Sequence, residues 1–346
     1  MGLPIRPATL ALLCVANLVV LLFGLVLLID WIRNWRHVKA YWVYGLGAGL
    51  AWLGLTLLGV ATWVLSALPM SHGLLPPGEQ SGAVPGQGGP EGLAALLLGL
   101  FLIALGLLIA LISATSLGGT TMLGMHYAAV LGHPSLPLLQ RLYNPRPSAA
   151  TQAGLGLAEP GDATPMLAPL LPQGEAAAQA VVASPATKPL ARCAWAVSTL
   201  AVVGAAIGYS ALLFRLTSPR LAEVLAGLPG YNPEQAYTLT PAVLLTLLVA
   251  ALSEEVVYRL GIQGFLARYL NAQGQRYWIP VVLAALLWTL QHAGAVEPGW
   301  VKLAQVFPIG VLLGWLYRRQ GIESCIVAHA LFNLGMAPLA PFLIRP

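Results

Sequence analysis

Apolar residues fill this chain in long unbroken blocks, and the polar residues collect mostly in the short stretches between them. Crossing a bilayer as a helix takes about 20 predominantly apolar residues. Blocks near that length lie at roughly 8–32, 41–68, 93–117, 191–214, 240–267, 277–293, 301–318 and 322–342. The pattern predicts an all-α, polytopic membrane protein with about eight transmembrane helices. The first block is too long for a cleaved signal peptide and lacks its flanks. The stretch "GGTTMLGMHYAAVLG" at 118–132, broken by glycine and threonine, predicts an interfacial continuation of the third span.

Composition agrees with this pattern. Hydrophobic residues make up 58% of the chain, charged residues 8%, and the mean hydropathy is +0.78, whereas a soluble domain carries about 25% charged residues. With both termini outside, the inner loops hold 11 of the 17 Lys and Arg residues and the outer loops 5, while Arg259 falls within a span. This is the positive-inside bias. It accounts for the sequence pI of 9.2 without nucleic acid as a partner, because the basic residues are spread over loops. Membrane lipid is the expected surrounding. Trp31, Trp35, Tyr41 and Trp42 form an aromatic belt at the inner ends of the first two spans.

Two Pro/Gly-rich stretches punctuate the chain, one beginning at Ser71 and one running from about 134 to 188. Neither has the periodic apolar content to fold alone, so both read as flexible connections. The expected organisation is a three-span N-terminal membrane region (1–132), a flexible cytoplasmic linker (133–190) and a five-span C-terminal domain (191–346). The Ala/Pro/Gly-rich linker suits a GC-rich bacterium and its inner membrane. Cys14, Cys193 and Cys325 lie in or beside separate spans with no CxxC spacing, so they read as small buried hydrophobes.

Polar residues separate the two parts. The N-terminal spans carry almost no charge, with Asp30 at a span end, and read as support or cover. In the C-terminal part, Glu254, Glu255, Arg259, His292 and His329 fall inside apolar blocks. An ionisable group there costs at least about 2.5 kcal/mol unless it is paired or hydrated. In "ALSEEVVYRLGIQGFL", Glu255 and Arg259 are four apart, acid before base, and pair on one helix face. Glu254 is turned about 100° away, on the face of Tyr258 and Gly261. His329 and Asn333 share a face of the last span. Counting along each helix, Glu254 and His292 lie about 20 Å from the inner surface, whereas His329 lies about 10 Å from it. Closing the group therefore requires tilt or an uneven bilayer surface. Gly310 and Gly314 form a GxxxG pair that lets helices approach closely.

Glu254-Glu255-x-x-x-Arg259, a histidine ending a later span, and His329-x-x-x-Asn333, each on its own apolar segment, resemble the CPBP family: the CAAX prenyl endopeptidases and their bacterial relatives of the Abi group. The resemblance covers about 190–342. One departure is Trp288, where the family's second motif has phenylalanine; an aromatic is retained, so the departure bears on packing. The resemblance implies an intramembrane endopeptidase that hydrolyses a peptide bond in a membrane-associated protein or peptide. Glu254 would act as general base on water, His292 would share that water, and His329 and Asn333 would donate to the oxyanion. Glu255 and Arg259 would be supporting residues, with Glu255 also able to position the water. No cofactor is expected.

Zinc held by Glu254, His292 and His329 is the alternative within the same activity, although HExxH spacing is absent. Outside proteolysis, the alternatives are a proton-coupled transporter and a membrane scaffold or immunity protein. The lack of an internal repeat counts against the transporter. A bacterial source favours bacteriocin-like or membrane-anchored peptides over prenylated proteins as substrate.

Overall fold

The structure, a computed structural model, describes residues 7–67, 90–132, 190–221 and 240–345. The two Pro/Gly-rich connections fall outside these residues, apart from Pro90, Glu91 and Gly92, which open a helix. The helices are α1 (Pro7–Arg33), α2 (Trp42–Ala67), α3 (Pro90–Leu131), α4 (Leu190–Thr217), α5 (Pro241–Glu255, continuing through Val256–Gln263 and Gly264–Tyr269), α6 (Trp278–Leu290), α7 (Gly299–Gln320) and α8 (Ile322–Met336). Each apolar block of the sequence thus holds a helix. Five helices, α1 to α4 and α7, are long and apolar enough over their described residues to cross a membrane. The chain is an all-α, multi-pass integral membrane protein. Its small strand pair, β1 (Arg220–Leu221) with β2 (Val296–Glu297), ties the end of α4 to the connection between α6 and α7.

Helix α5 is the centre of the bundle. Thr240 caps it, its Oγ1 accepting from the Val243 N–H at 3.2 Å, with Pro241 at the first helical position, where no N–H is needed. Just after Glu255 the helix widens into π geometry over Val256–Gln263, and all of that stretch but Val257 is buried. Helices α2 and α3 pack on one side of α5, and α6 and α8 on others. Gly124 of α3 touches this stretch so closely that a Cβ there would lie 2.5 Å from Leu260 Cβ.

The stretch 118–131 is therefore no interfacial appendage. It continues α3 without a break, and Met122, Leu123, Met125, Tyr127 and Ala128 are buried in the protein. Its glycines and threonines serve close helix packing rather than a membrane surface.

Helix α7 carries Pro308 in its interior. Proline has no N–H to return to the Ala304 carbonyl, and Tyr209 Oη of α4 donates to that oxygen at 2.9 Å. The GxxxG pair fits α7 against α6 and α5. A Cβ on Gly310 would lie 3.0 Å from Ala285 Cβ and Trp288 Cε3, and one on Gly314 would lie 2.8 Å from Val281 Cγ1 and 2.9 Å from Gln263 Oε1. Cys325 is buried as expected, but Cys14 faces outward from α1.

Candidate active site

Glu254 and Glu255 end the regular part of α5, so the π stretch begins beneath them. Such stretches are frequent at functional sites, because i→i+5 bonding turns the two flanking helical segments relative to each other. Glu255 is fully buried and committed on both oxygens. Arg259 Nε donates to its Oε2 at 3.0 Å, and His329 Nδ1 lies 2.8 Å from its Oε1. Arg259 is itself fully buried. Its Nη atoms have no hydrogen-bond partner among the described residues, and its guanidinium lies 5.2 Å from the centre of the Trp288 ring.

Glu254 is placed differently. Its side chain is 28% exposed, and both histidines turn Nε2 toward its Oε2: His292 at 3.9 Å and His329 at 4.0 Å. The outer ring nitrogens fix the tautomers. His329 Nδ1 faces a carboxylate, and His292 Nδ1 lies 2.8 Å from the Trp288 carbonyl. Both partners only accept, so Nδ1 carries the proton in each neutral ring and Nε2 presents a lone pair. Three acceptors therefore converge on one spot with no proton among them. A water molecule is the smallest group that donates to such a set.

The depth mismatch for His329 disappears in the structure. Helix α8 follows α7 after one residue, Gly321, whose φ of 86° is natural only to glycine. Ile322, Ser324 and Cys325, the first turn of α8, are buried. The start of the helix is packed inside the protein, and His329 comes within 4.0 Å of Glu254 Oε2.

Asn333 is not drawn into this group. Its Nδ2 donates to the Leu247 carbonyl at 3.4 Å, two turns before Glu254 on α5. Two residues absent from the sequence-based set are drawn in. Trp288 Nε1 donates to Glu254 Oε2 at 2.6 Å, so its replacement of phenylalanine concerns chemistry as well as packing; the departure from the family motif was the available signal. Lys302, at the start of the 301–318 block, lies in the first turn of α7 within electrostatic range of Glu254 and His292.

Glu254, His292 and His329 are chemically a zinc donor set. Tetrahedral ligation at about 2.0–2.2 Å brings ligand atoms to roughly 3.3 Å from one another, closer than the distances here. Glu254 Oε2 is also held by the indole, and no group of three or more His, Cys, Asp or Glu residues among those described has metal-holding geometry. As placed, the residues do not meet the requirements of a zinc site.

The fold and site define a multi-pass helical membrane protein with a partly buried carboxylate–imidazole centre between its helices. Residues 236–335, which span α5 to α8, match the family model of the type II CAAX prenyl endopeptidase Rce1-like proteins. Over this segment the chain is similar to the CPBP family of membrane proteases. It is 25% identical over 150 residues to the sporulation-killing factor biosynthesis protein SkfC of Bacillus subtilis (strain 168). That match takes in 40% of this chain and 28% of the relative's length. No solved structure matches.

Proposed function

We propose that this protein is an intramembrane endopeptidase that hydrolyses a peptide bond in a membrane-associated protein or peptide, using water activated by Glu254. The observation that carries the reading is the convergence of Glu254 Oε2 with the two Nε2 atoms at 3.9 and 4.0 Å, beside a second glutamate already bonded on both oxygens. Water held among these acceptors gives a proton to Glu254 as its oxygen attacks the substrate carbonyl. His292 Nε2 orients that water. Glu254 then returns the proton to the leaving amine, as microscopic reversibility allows a single carboxyl group to do. In the substrate complex the Asn333 amide, which here bonds the Leu247 carbonyl at 3.4 Å, turns toward Glu254 to serve the developing oxyanion. Glu255 and Arg259 hold His329 in place. The bacterial relative, named for biosynthesis of a killing factor, favours a bacterial membrane-associated peptide over a prenylated protein as substrate.

Peptides from cells with and without the protein, followed by cleavage of the candidates in proteoliposomes, test the reading. Cleavage should require Glu254 and His292. A Glu254→Ala protein that still processes peptides would overturn the assignment, and Glu254-dependent proton-coupled uptake without cleavage would favour a transporter.

The zinc-dependent version is favoured by one observation, the two Nε2 lone pairs facing a carboxylate oxygen. Elemental analysis of purified protein with activity measured after chelation separates the two. We expect cleavage to survive chelation; stoichiometric zinc whose removal abolishes cleavage would establish the metal-dependent form.

A further inference from the structure

Lys302 is a cation at the rim of the site, and nothing in the mechanism above uses it. The α6–α7 contact fixes its level. Gly310 meets Trp288, and on antiparallel helices Val306 and then Lys302 follow at four-residue intervals, toward and past His292. Val306 is buried in the same core as Trp288, so this stripe faces α6. The ammonium donates to Gln305 Oε1 at 2.9 Å, and Gln305 is itself 2% exposed. Among the described residues Lys302 forms no ion pair within 4.0 Å, although Glu254 is within electrostatic range. A half-buried lysine ammonium bonded to one neutral acceptor has donors to spare, and a carboxylate is the partner that offsets its partial loss of water.

We infer that Lys302 docks a carboxylate of the substrate, so that the peptides taken by this site carry negative charge next to the bond that is cut. The charge has two possible sources, the peptide's own C-terminal carboxylate or an acidic side chain. The inference rests on the proteolytic reading and names the substrate class for it. Docking at Lys302 would place the anionic end beyond His292, with the chain passing Glu254 on its way to the membrane-associated part. The carboxylate would also shield the lysine's positive charge from Glu254, the group that must take a proton from water.

The test uses the full-length protein in proteoliposomes and short fluorescent N-palmitoylated peptides randomised toward the C-terminus. The peptides are made in paired sets, with a free carboxylate or an amide at the end, and with or without Asp and Glu in the randomised positions. Wild type should cleave carboxylate-bearing sets at least about tenfold faster, at low substrate, than the amidated set lacking acidic residues. Comparing the acid-terminated set lacking Asp and Glu with the amidated set containing them identifies the source of the charge. Lys302→Gln should reduce the preference to below about twofold, and Lys302→Arg should retain most of it, because the charge is kept. The preference ratio is a readout that general destabilisation does not mimic. Equal cleavage of all sets by wild type, or a ratio unchanged in Lys302→Gln, would overturn the inference. If wild type cleaves no set, the proteolytic reading fails; binding of the same sets, read by anisotropy, then decides the docking separately, with the same ratio expected in affinity.

Discussion

Helix α5 carries two polar clusters about 20 Å apart along its axis, and they are built to opposite specifications. At Tyr269 the cluster is closed. Asp30 of α1 is 3% exposed and accepts from Tyr127 Oη at 2.6 Å, from Asn34 Nδ2 at 3.0 Å and from Tyr269 Oη. Arg268 Nη1 donates to His126 Nε2 at 2.9 Å, and His126 stacks on His37. Around Glu254 the cluster is open. Three acceptors converge with only the Trp288 indole donating to them, and among the described residues two Arg259 nitrogens and the buried Tyr258 hydroxyl have no hydrogen-bond partner. Satisfied networks rigidify, while unsatisfied buried polar groups are expensive and persist where something else is to bind. On the proposed reading, the first cluster anchors α1 and α3 and the second carries the chemistry.

Several substitutions press on this contrast. Removing the Glu254 carboxylate with Glu254→Gln should lower cleavage by about a hundredfold to ten-thousandfold, with the thermal transition in detergent little changed. Arg259→Ala should act mainly on the fold. It strands the buried Glu255 charge, at a cost of about 3–5 kcal/mol, read as lower yield and a lower melting temperature. Asp30→Ala orphans hydroxyl donors of α3 and α5 at about 1–3 kcal/mol for each donor left buried, and per folded molecule it should cleave far better than Glu254→Gln. Trp288→Phe restores the family's ring and removes the N–H to Glu254 Oε2; a hydrogen bond to a charged group is worth about 1.5–3 kcal/mol, so kcat should shift by about tenfold or more in that variant. Tyr269→Phe removes one of three donors to Asp30 and should cost about 1 kcal/mol of stability, with cleavage retained. A Trp288→Phe protein indistinguishable from wild type would mean that the indole only fills space.

Much of this was legible in the sequence because the code for a membrane helix is short. The apolar blocks gave the helices, and the four-residue spacing of Glu255 and Arg259 gave their pair. The positions of Glu254, His292 and His329 on separate spans singled out the residues that meet. What escaped depended on where helices begin and what they touch. Counting residues from a membrane surface set His329 apart from Glu254, whereas packing of the helices brings them within 4.0 Å. Asn333 shares a helix face with His329, but its amide bonds the α5 backbone, because a shared face does not determine which neighbour a side chain meets. Asp30 read as a span-end charge because its three donors come from positions 34, 127 and 269. The donor role of Trp288 was hidden for a similar reason. Its partner lies on another helix, and an indole in an apolar block reads as packing.

The most direct measurement sets Glu254→Gln beside Asp30→Ala in the same proteoliposomes, scoring cleavage of a palmitoylated peptide and thermal unfolding for each. Glu254→Gln should lose cleavage and keep its unfolding transition, while Asp30→Ala should lose stability and keep cleavage in the molecules that remain folded. If Glu254→Gln cleaves like wild type, or is inactive only because it unfolds as Asp30→Ala does, the assignment of chemistry to the open cluster is contradicted.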